Sequence, residues 1–503
     1  MTTVRIDWSM IFFALAASFV GILTIYGGSP AGVVLAKKQF LWLMIGLIVM
    51  FAFAFVNYQT LGSFAAIIYG VGIVLLLITL AIGTEVKGAK AWLRIKGMGF
   101  QPAEFMKLGL IIALSKYLSI REKKIANINE IFVPFMIAFF PMILIAVQPD
   151  LGYAIMIIPI LIVLLFLAGA NANILLGFVI VGFFSLFVPM FLEYHKYIIV
   201  DDIVAALRTG NYKLSDAVHI LGFESWRYVD HPSDFAGIKP EALGWAKATL
   251  LKPENIDLFK KTAEFIFDEN KSYLRDFLAN DKAMIIMIVV FGVIYGISTF
   301  FYFYYYKVDI LKNFGIFTLI IALAFTASFS LRKTISFKPH QVIRIVSFAN
   351  PDKFPKGAGY QLRHSIITIG SGQILGKGFG QGDMTKGDIS FLPEWYNDFI
   401  FSVIGEQFGM FGCTVVLILL FGLVGRGMSI TWRSKDKFGM LLAGGITAML
   451  FLHIAINTGI AMGLLPVTGI PLVLVSYGGS SIVFTYAGIG ILLNIYMRRF
   501  TNI

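Results

Sequence analysis

Residues 63–83 read SFAAIIYGVGIVLLLITLAIG, a run without one charged side chain. A helix needs about 20 apolar residues to cross roughly 30 Å of hydrocarbon. Lipid leaves no other way to satisfy the backbone of so long an apolar run. Eleven further runs share this character, so the sequence predicts twelve membrane spans, at about 8–27, 40–56, 63–83, 102–120, 132–148, 151–168, 173–193, 284–306, 314–331, 400–425, 438–460 and 480–497.

The composition of the 503 residues agrees with these spans. Hydrophobic residues make up 58% and charged residues only 14%, whereas soluble domains average about 45–50% apolar residues. A soluble or disordered chain is therefore excluded. Cys413 is the only cysteine, which excludes an intramolecular disulfide and a cysteine-based metal site. The predicted fold class is an all-α polytopic membrane protein.

The basic residues of the short loops predict the orientation of the chain. If the termini are cytoplasmic, thirteen Lys and Arg lie inside and six outside, as the positive-inside rule requires. The net charge of +12 is explained in this way, without a nucleic-acid partner. The inner residues are Arg5, Lys116, Arg121, Lys123, Lys124, Lys307, Lys312, Arg426, Arg433, Lys435, Lys437, Arg498 and Arg499; the outer ones are Lys37, Lys38, Lys87, Lys90, Arg94 and Lys96.

Two long segments then lie outside. Residues 194–283 carry charges of both signs and are interpreted as a small helical insert. Residues 332–399 are rich in Gly and Pro, and 332–397 holds nine Lys or Arg against four acids. Topology does not require so basic an outer loop, so we expect it to bind an anionic ligand at the outer membrane face.

Two motifs near the outer surface carry charge into predicted helices. Pro102 is suited to a first helical turn, which puts Glu104 and Lys107 on one face, within reach of each other. The pair is either a structural ion pair or a functional one, because ionisable groups at membrane depth are expensive. Asp150 follows Gln148-Pro149 and is explained as a helix N-cap or as a functional carboxylate.

Two further motifs lie in and after the basic loop. Six glycines crowd residues 370–382; they form either a flexible loop or one that brings backbone and Lys377 to a phosphate. Asp398 stands at the mouth of a span beside Phe399-Ile400-Phe401. It is either an N-cap or a general base, which must stay ionised and still accept a proton.

Irregular sequence follows near the end of the chain. Asn457-x-Gly459, 465–471 and 476–481 predict an outer turn that re-enters a helix, and such backbone must line a cavity or be covered by protein. His453 lies one helical turn before Asn457 and is more typical of a hydrogen-bonded core residue than of a ligand.

Several blocks, in this order, resemble the RodA/FtsW (SEDS) family of cell-wall polymerases. The resemblance covers about 1–170 and 330–503. The blocks are Gly88-Ala89-Lys90-Ala91-Trp92-Leu93, Gln101-Pro102-Ala103-Glu104 with Lys107, Gln148-Pro149-Asp150-Leu151-Gly152, Gly357-Ala358-Gly359-Tyr360, Phe391-Leu392-Pro393-Glu394 through Asp398-Phe399-Ile400-Phe401, Gly405-Glu406, Leu465-Pro466-Val467-Thr468-Gly469-Ile470-Pro471 and Ser476-Tyr477-Gly478-Gly479-Ser480.

The resemblance implies a peptidoglycan glycosyltransferase that polymerises lipid II at the outer face of the bacterial inner membrane, closer to RodA, the elongation member. It implies a class B penicillin-binding protein as partner, with other membrane proteins of the elongation complex. A divalent cation, Mg²⁺ or Mn²⁺, is an optional cofactor. Asp398 is the catalytic residue that the resemblance implies. We predict that the substrate is bound by Glu104, Lys107, Asp150, Arg344, Arg363, Lys377, Glu394 and Ser476. Lys353 and Lys356 are further cations available to the pyrophosphate.

The family typically has ten spans, so twelve spans predict additional material. We divide the chain into N-terminal SEDS helices (1–170), an atypical insert with extra spans (171–331), a basic catalytic loop (332–399) and C-terminal SEDS helices (400–503). Three alternatives stay open at this point: a lipid II flippase, an FtsW-like division polymerase and an inactive scaffold.

Overall fold

The structure is a computed structural model that describes residues 6–28, 32–86, 89–95, 98–121, 128–208, 277–304, 309–334, 344, 347–348, 358–383 and 395–499. Glu394, Lys353, Lys356 and most of the predicted insert lie outside the described residues. The helices are α1 (Trp8–Gly28), α2 (Gly32–Phe55), α3 (Tyr58–Ser63), α4 (Ala65–Ile82), α5 (Pro102–Ile120), α6 (Ile128–Val147), α7 (Leu151–Leu167), α8 (Ala172–Arg208), α9 (Asp281–Tyr304), α10 (Asp309–Thr334), α11 (Ala358–Ser371), α12 (Ile400–Trp432), α13 (Lys437–Ala461) and α14 (Gly479–Arg498).

Each of the twelve predicted spans lies on one of these helices, which confirms a polytopic helical membrane protein. Within the described ranges, ten helices are long and apolar enough to cross a membrane, judged by length and composition. The other two predicted spans are α5, which carries three charged residues, and α7, which has 17 residues.

The structure differs from the sequence prediction in two places. Helix α8 continues to Arg208, so the segment after it does not begin at residue 194. A three-stranded antiparallel sheet, absent from the all-α prediction, joins α4 to α5. Its strands are β1 (Thr84–Val86), β2 (Ala89–Ile95) and β3 (Met98–Phe100). β1 and β3 have only three residues each, too few for a periodic pattern. The Lys90 N–H anchors β2 to the Gln148 carbonyl (3.1 Å).

The chain divides into two compact units. The first unit comprises Met1–Leu175 and Pro351–Ile503, and its most buried candidate spans are α13 and α14. Small residues let helices approach closely there: a side chain on Gly490 would collide with the backbone of Met50 in α2. Tyr486 of α14 shares a hydrogen bond with Ser18 of α1 (2.9 Å).

The second unit comprises Leu176–Asn350. Ser298 of α9 donates a hydrogen bond to the Leu311 carbonyl of α10 (2.7 Å), and Phe291 stacks on Phe325 between the same helices. Ser328 of α10 bonds to the Phe184 carbonyl of α8 (2.8 Å). Hydrogen bonds and aromatic packing thus join α8, α9 and α10, as is usual where lipid surrounds helices.

Candidate active site

Asp398 lies in the turn that leads into α12. The helix begins at Ile400 and its N-cap residue is Phe399, so the N-cap interpretation of Asp398 is wrong. The residue is half-buried. Its Oδ2 lies 3.9 Å from the place a Cβ would take on Gly469, which puts the carboxylate beside the irregular segment between α13 and α14.

Three consecutive carbonyls of this turn each accept a hydrogen bond from another part of the chain. The Tyr396 carbonyl accepts from the Tyr477 N–H (2.8 Å) and the Asn397 carbonyl from the Ser476 hydroxyl (2.6 Å). The Asp398 carbonyl accepts from Asn457 Nδ2 (2.9 Å). The backbone that carries Asp398 is therefore held by α13 and by the segment before α14.

Ser476 was predicted to bind substrate, and its hydroxyl already makes two bonds within the protein. Besides donating to Asn397 it accepts from the Leu472 N–H (2.8 Å), and the residue is buried. Its substrate contact stays a prediction.

Glu104 and Lys107 form the predicted pair. Lys107 Nζ lies 3.0 Å from Glu104 Oε2, and the two side chains are 0% and 4% exposed. Tyr153 of α7 donates to Glu104 Oε1 (2.6 Å), and Lys107 Nζ lies 4.4 Å from the centre of the Tyr153 ring. Each charge thus has two partners, as a buried pair needs.

His453 extends this network into α13. Its Nε2 lies 2.7 Å from Lys107 Nζ and its Nδ1 lies 3.2 Å from the Pro471 carbonyl. Because an ammonium group only donates, Nε2 must accept and Nδ1 must carry the hydrogen that faces Pro471. The expectation of a hydrogen-bonded core residue is confirmed.

Asp150 closes the network at the start of α7. Its Oδ1 accepts from the Tyr153 N–H (3.4 Å), which confirms the N-cap, and its Oδ2 accepts from Gln101 Nε2 (2.9 Å). Burial raises the pKa of Asp150 to about 6, against the opposing effect of these hydrogen bonds. Helix α13 connects this network to Asp398, because Asn457, one turn after His453, donates to the Asp398 carbonyl. The candidate active site therefore contains Asp398, Glu104, Lys107, Asp150, Tyr153 and His453.

Tyr153 is the member that the sequence analysis missed. It reads as one more apolar residue of a span, and only its position three residues after Asp150 relates it to a charged motif.

Lys377 lies in the glycine-rich segment, where its partners are two other acidic residues. Its Nζ is 2.8 Å from Glu406 Oε1 and 3.0 Å from Asp383 Oδ2, and Glu406 is fully buried. Partial burial opposes the charge, but the bonds to Glu406 and Asp383 outweigh it and raise the pKa of Lys377. Contact with a phosphate stays a prediction.

The glycine-rich segment is inserted into a break in α12. At Gly409 (φ +63°) the helix is interrupted. The Glu406 and Gln407 carbonyls accept from the N–H groups of Lys377 and Gly378 (2.9 and 3.0 Å), and the Met410 and Phe411 N–H groups donate to residues 373 and 374. A side chain on Gly376 (φ +82°) would collide with Gln407. The sequence analysis considered a flexible loop and a loop that brings backbone and Lys377 to a phosphate. Neither alternative includes these hydrogen bonds to α12.

Two further predicted cations, Arg363 and Arg344, are among the described residues. Arg363 is exposed on α11. Arg344 belongs to the second unit. In the part of the chain that the structure describes, no three His, Cys, Asp or Glu side chains come together to hold a metal ion.

Comparisons with known proteins agree on one family. The model described as "Cell cycle protein" (FtsW, RodA, SpoVE) matches residues 4–214 and 258–500. The peptidoglycan glycosyltransferase RodA of Treponema pallidum is 28% identical over 500 residues, covering 98% of each chain. The peptidoglycan glycosyltransferase MrdB of Escherichia coli is 25% identical, covering 99% of this chain and 95% of its own.

A solved structure shares the fold. It is described as "Structural coordination of polymerization and crosslinking by a peptidoglycan synthase complex", with a TM-score of 0.58, 22% identity and 99% coverage of both chains. The match to the family model covers more of the chain than the sequence motifs do, since the motifs span only about 1–170 and 330–503. Only 215–257 interrupts it, and α9, which we had assigned to additional material, lies inside it.

Proposed function

Because this chain belongs to the FtsW, RodA and SpoVE family of cell cycle proteins, we propose that it is a peptidoglycan glycosyltransferase. Its substrate is lipid II, which it polymerises into glycan strands at the outer face of the inner membrane. The names of the RodA and MrdB relatives support the activity, and they favour the elongation member over an FtsW-like division enzyme.

Asp398 acts as the general base in this reaction. Its carboxylate takes the proton of the acceptor sugar hydroxyl while that oxygen bonds to the anomeric carbon of the donor. The bond from this carbon to the pyrophosphate oxygen breaks, and the electron pair leaves with the pyrophosphate. A base on one side and charge stabilisation on the other are what glycosyl transfer needs.

One observation supports this assignment most strongly. The turn that bears Asp398 is held by hydrogen bonds from Tyr477, Ser476 and Asn457. One turn before Asn457 on the same helix, His453 contacts Lys107 of the buried charged network. A positioned carboxylate next to fixed charges suits a proton transfer better than a mobile loop would.

Arg363 and Lys377, both in the first unit, are the cations that we propose for the pyrophosphate. Substrate binding by Arg344 and Glu394, which come from the same basic loop of the sequence, stays a prediction. A Mg²⁺ or Mn²⁺ ion bound with the pyrophosphate would supplement Arg363 and Lys377. The crosslinking partner is a class B penicillin-binding protein, which the description of the related synthase complex supports.

The test is polymerisation by the purified protein with its partner on labelled lipid II. We expect glycan strands longer than the substrate, formed at least about a hundredfold more slowly with Asp398→Asn. Proteoliposomes that move fluorescent lipid II between leaflets without polymerising it would favour the flippase instead. Chelation followed by Mg²⁺ or Mn²⁺ in the same assay measures any metal dependence.

We also propose that both termini are cytoplasmic. In a Cys413→Ser background, Leu464→Cys in the exposed segment after α13 should react with an impermeant maleimide on intact cells. Arg433→Cys, in the exposed turn between α12 and α13, should react only after permeabilisation. Labelling of position 433 on intact cells would contradict this orientation, which rests on the thirteen-to-six charge count.

A further inference from the structure

The carbonyl of Asp398 lies just outside α12 and needs a partner from elsewhere. The first carbonyl that the helix uses is that of Phe399, which accepts from the Ser402 N–H (3.0 Å). The Asp398 carbonyl accepts from Asn457 Nδ2 (2.9 Å), and the same nitrogen lies 2.8 Å from the Ile470 carbonyl. One amide group thus joins Asp398 to the segment against which its carboxylate lies.

The side chain of Asn457 makes two hydrogen bonds, one to the Asp398 carbonyl and one to the Ile470 carbonyl. It is 0% exposed within α13, and its Oδ1 accepts no hydrogen bond. A buried acceptor without a partner is costly, so the side chain is best explained by the two bonds its nitrogen donates. His453, one turn earlier, bonds the next carbonyl, Pro471.

We propose that Asn457 is a positioning residue of the glycosyl transfer, which holds the backbone of Asp398 against the Ile470 segment so that the carboxylate meets the acceptor hydroxyl. The inference rests on the proposed function. It adds to the proposed function that Asn457 of α13 supports catalysis without touching the substrate. Misplacement of a catalytic group by about 1 Å can cost about a hundredfold in rate.

The experiment compares Asn457→Ala and Asn457→Leu with wild type in lipid II polymerisation with the partner present. Asn457→Leu roughly keeps the side-chain volume. Its kcat therefore tests the inference even if Asn457→Ala lowers the yield of folded protein. We expect kcat to fall about 10- to 100-fold and KM to change less than about twofold, because no substrate contact is lost.

Thr458→Val is the matched control. Thr458 is buried next to Asn457, and its hydroxyl bonds only carbonyls of its own helix. The kcat of Thr458→Val should therefore equal that of wild type.

A double mutant separates positioning from general damage. In Asp398→Glu, whose carboxylate is already displaced, Asn457→Leu should lower the remaining rate by less than about threefold, because residues that act as a unit are not additive. An equal loss in both backgrounds, or a wild-type kcat in Asn457→Leu, would overturn the inference. A wild type that forms no glycan would instead overturn the proposed function.

Discussion

Asp398→Asn should lower the rate of lipid II polymerisation by about a hundredfold or more, since a positioned general base contributes about 10²- to 10⁴-fold. Asn has nearly the same shape but does not take a proton. Phe399, and not Asp398, is the N-cap of α12, so the change removes the base without removing the cap. The measurement is kcat on lipid II with the partner present, with lipid II binding measured in parallel and expected to be nearly unchanged.

Asp383→Asn is the matched control for this change. It makes the same chemical alteration on a carboxylate that is 78% exposed and paired with Lys377, and exposed ion pairs contribute only about 0–1 kcal/mol. We expect Asp383→Asn to stay within about threefold of wild type. If Asp398→Asn polymerised lipid II at the wild-type rate, Asp398 would not be the base.

Lys107→Met should lower the free energy of unfolding by about 3–5 kcal/mol, the usual cost of leaving one member of a buried ion pair alone. Glu104 is 4% exposed and would keep only Tyr153 among its hydrogen-bond partners, and His453 Nε2 would lose its donor. Thermal or denaturant unfolding of the purified protein measures the loss.

The double variant Glu104→Gln with Lys107→Met separates stability from function. Removing both charges of a buried pair is often neutral, so stability should recover to within about 2 kcal/mol of wild type. If the pair serves the reaction, the polymerisation rate of the double variant should stay at least about tenfold below that of wild type. Ser115→Ala on the same helix is the control, because that buried hydroxyl has no hydrogen-bond partner. Full activity of Lys107→Met would make the pair incidental.

The sequence was sufficient wherever the physical signal is local. An apolar run of about 20 residues in lipid must be a helix, and each predicted span lies on one. The spacing of Glu104 and Lys107 places them one turn apart on any helix, and they are paired. The position of Asp398 before an apolar run predicted its place at the mouth of α12, and the order of the blocks indicated the family.

Only the tertiary structure decided which distant groups complete the site. Lys107 meets His453 across 346 residues of sequence, and Asn457 meets Asp398 across 59. Helical periodicity says which face a side chain occupies, but not which neighbouring helix that face meets. The same holds for the glycine-rich segment, whose N–H groups replace bonds within α12. The break in α12 and the segment that bonds to it are far apart in sequence pattern, and only the packed chain brings them together. Each buried backbone group there needs a hydrogen-bond partner, and the neighbouring segment supplies it.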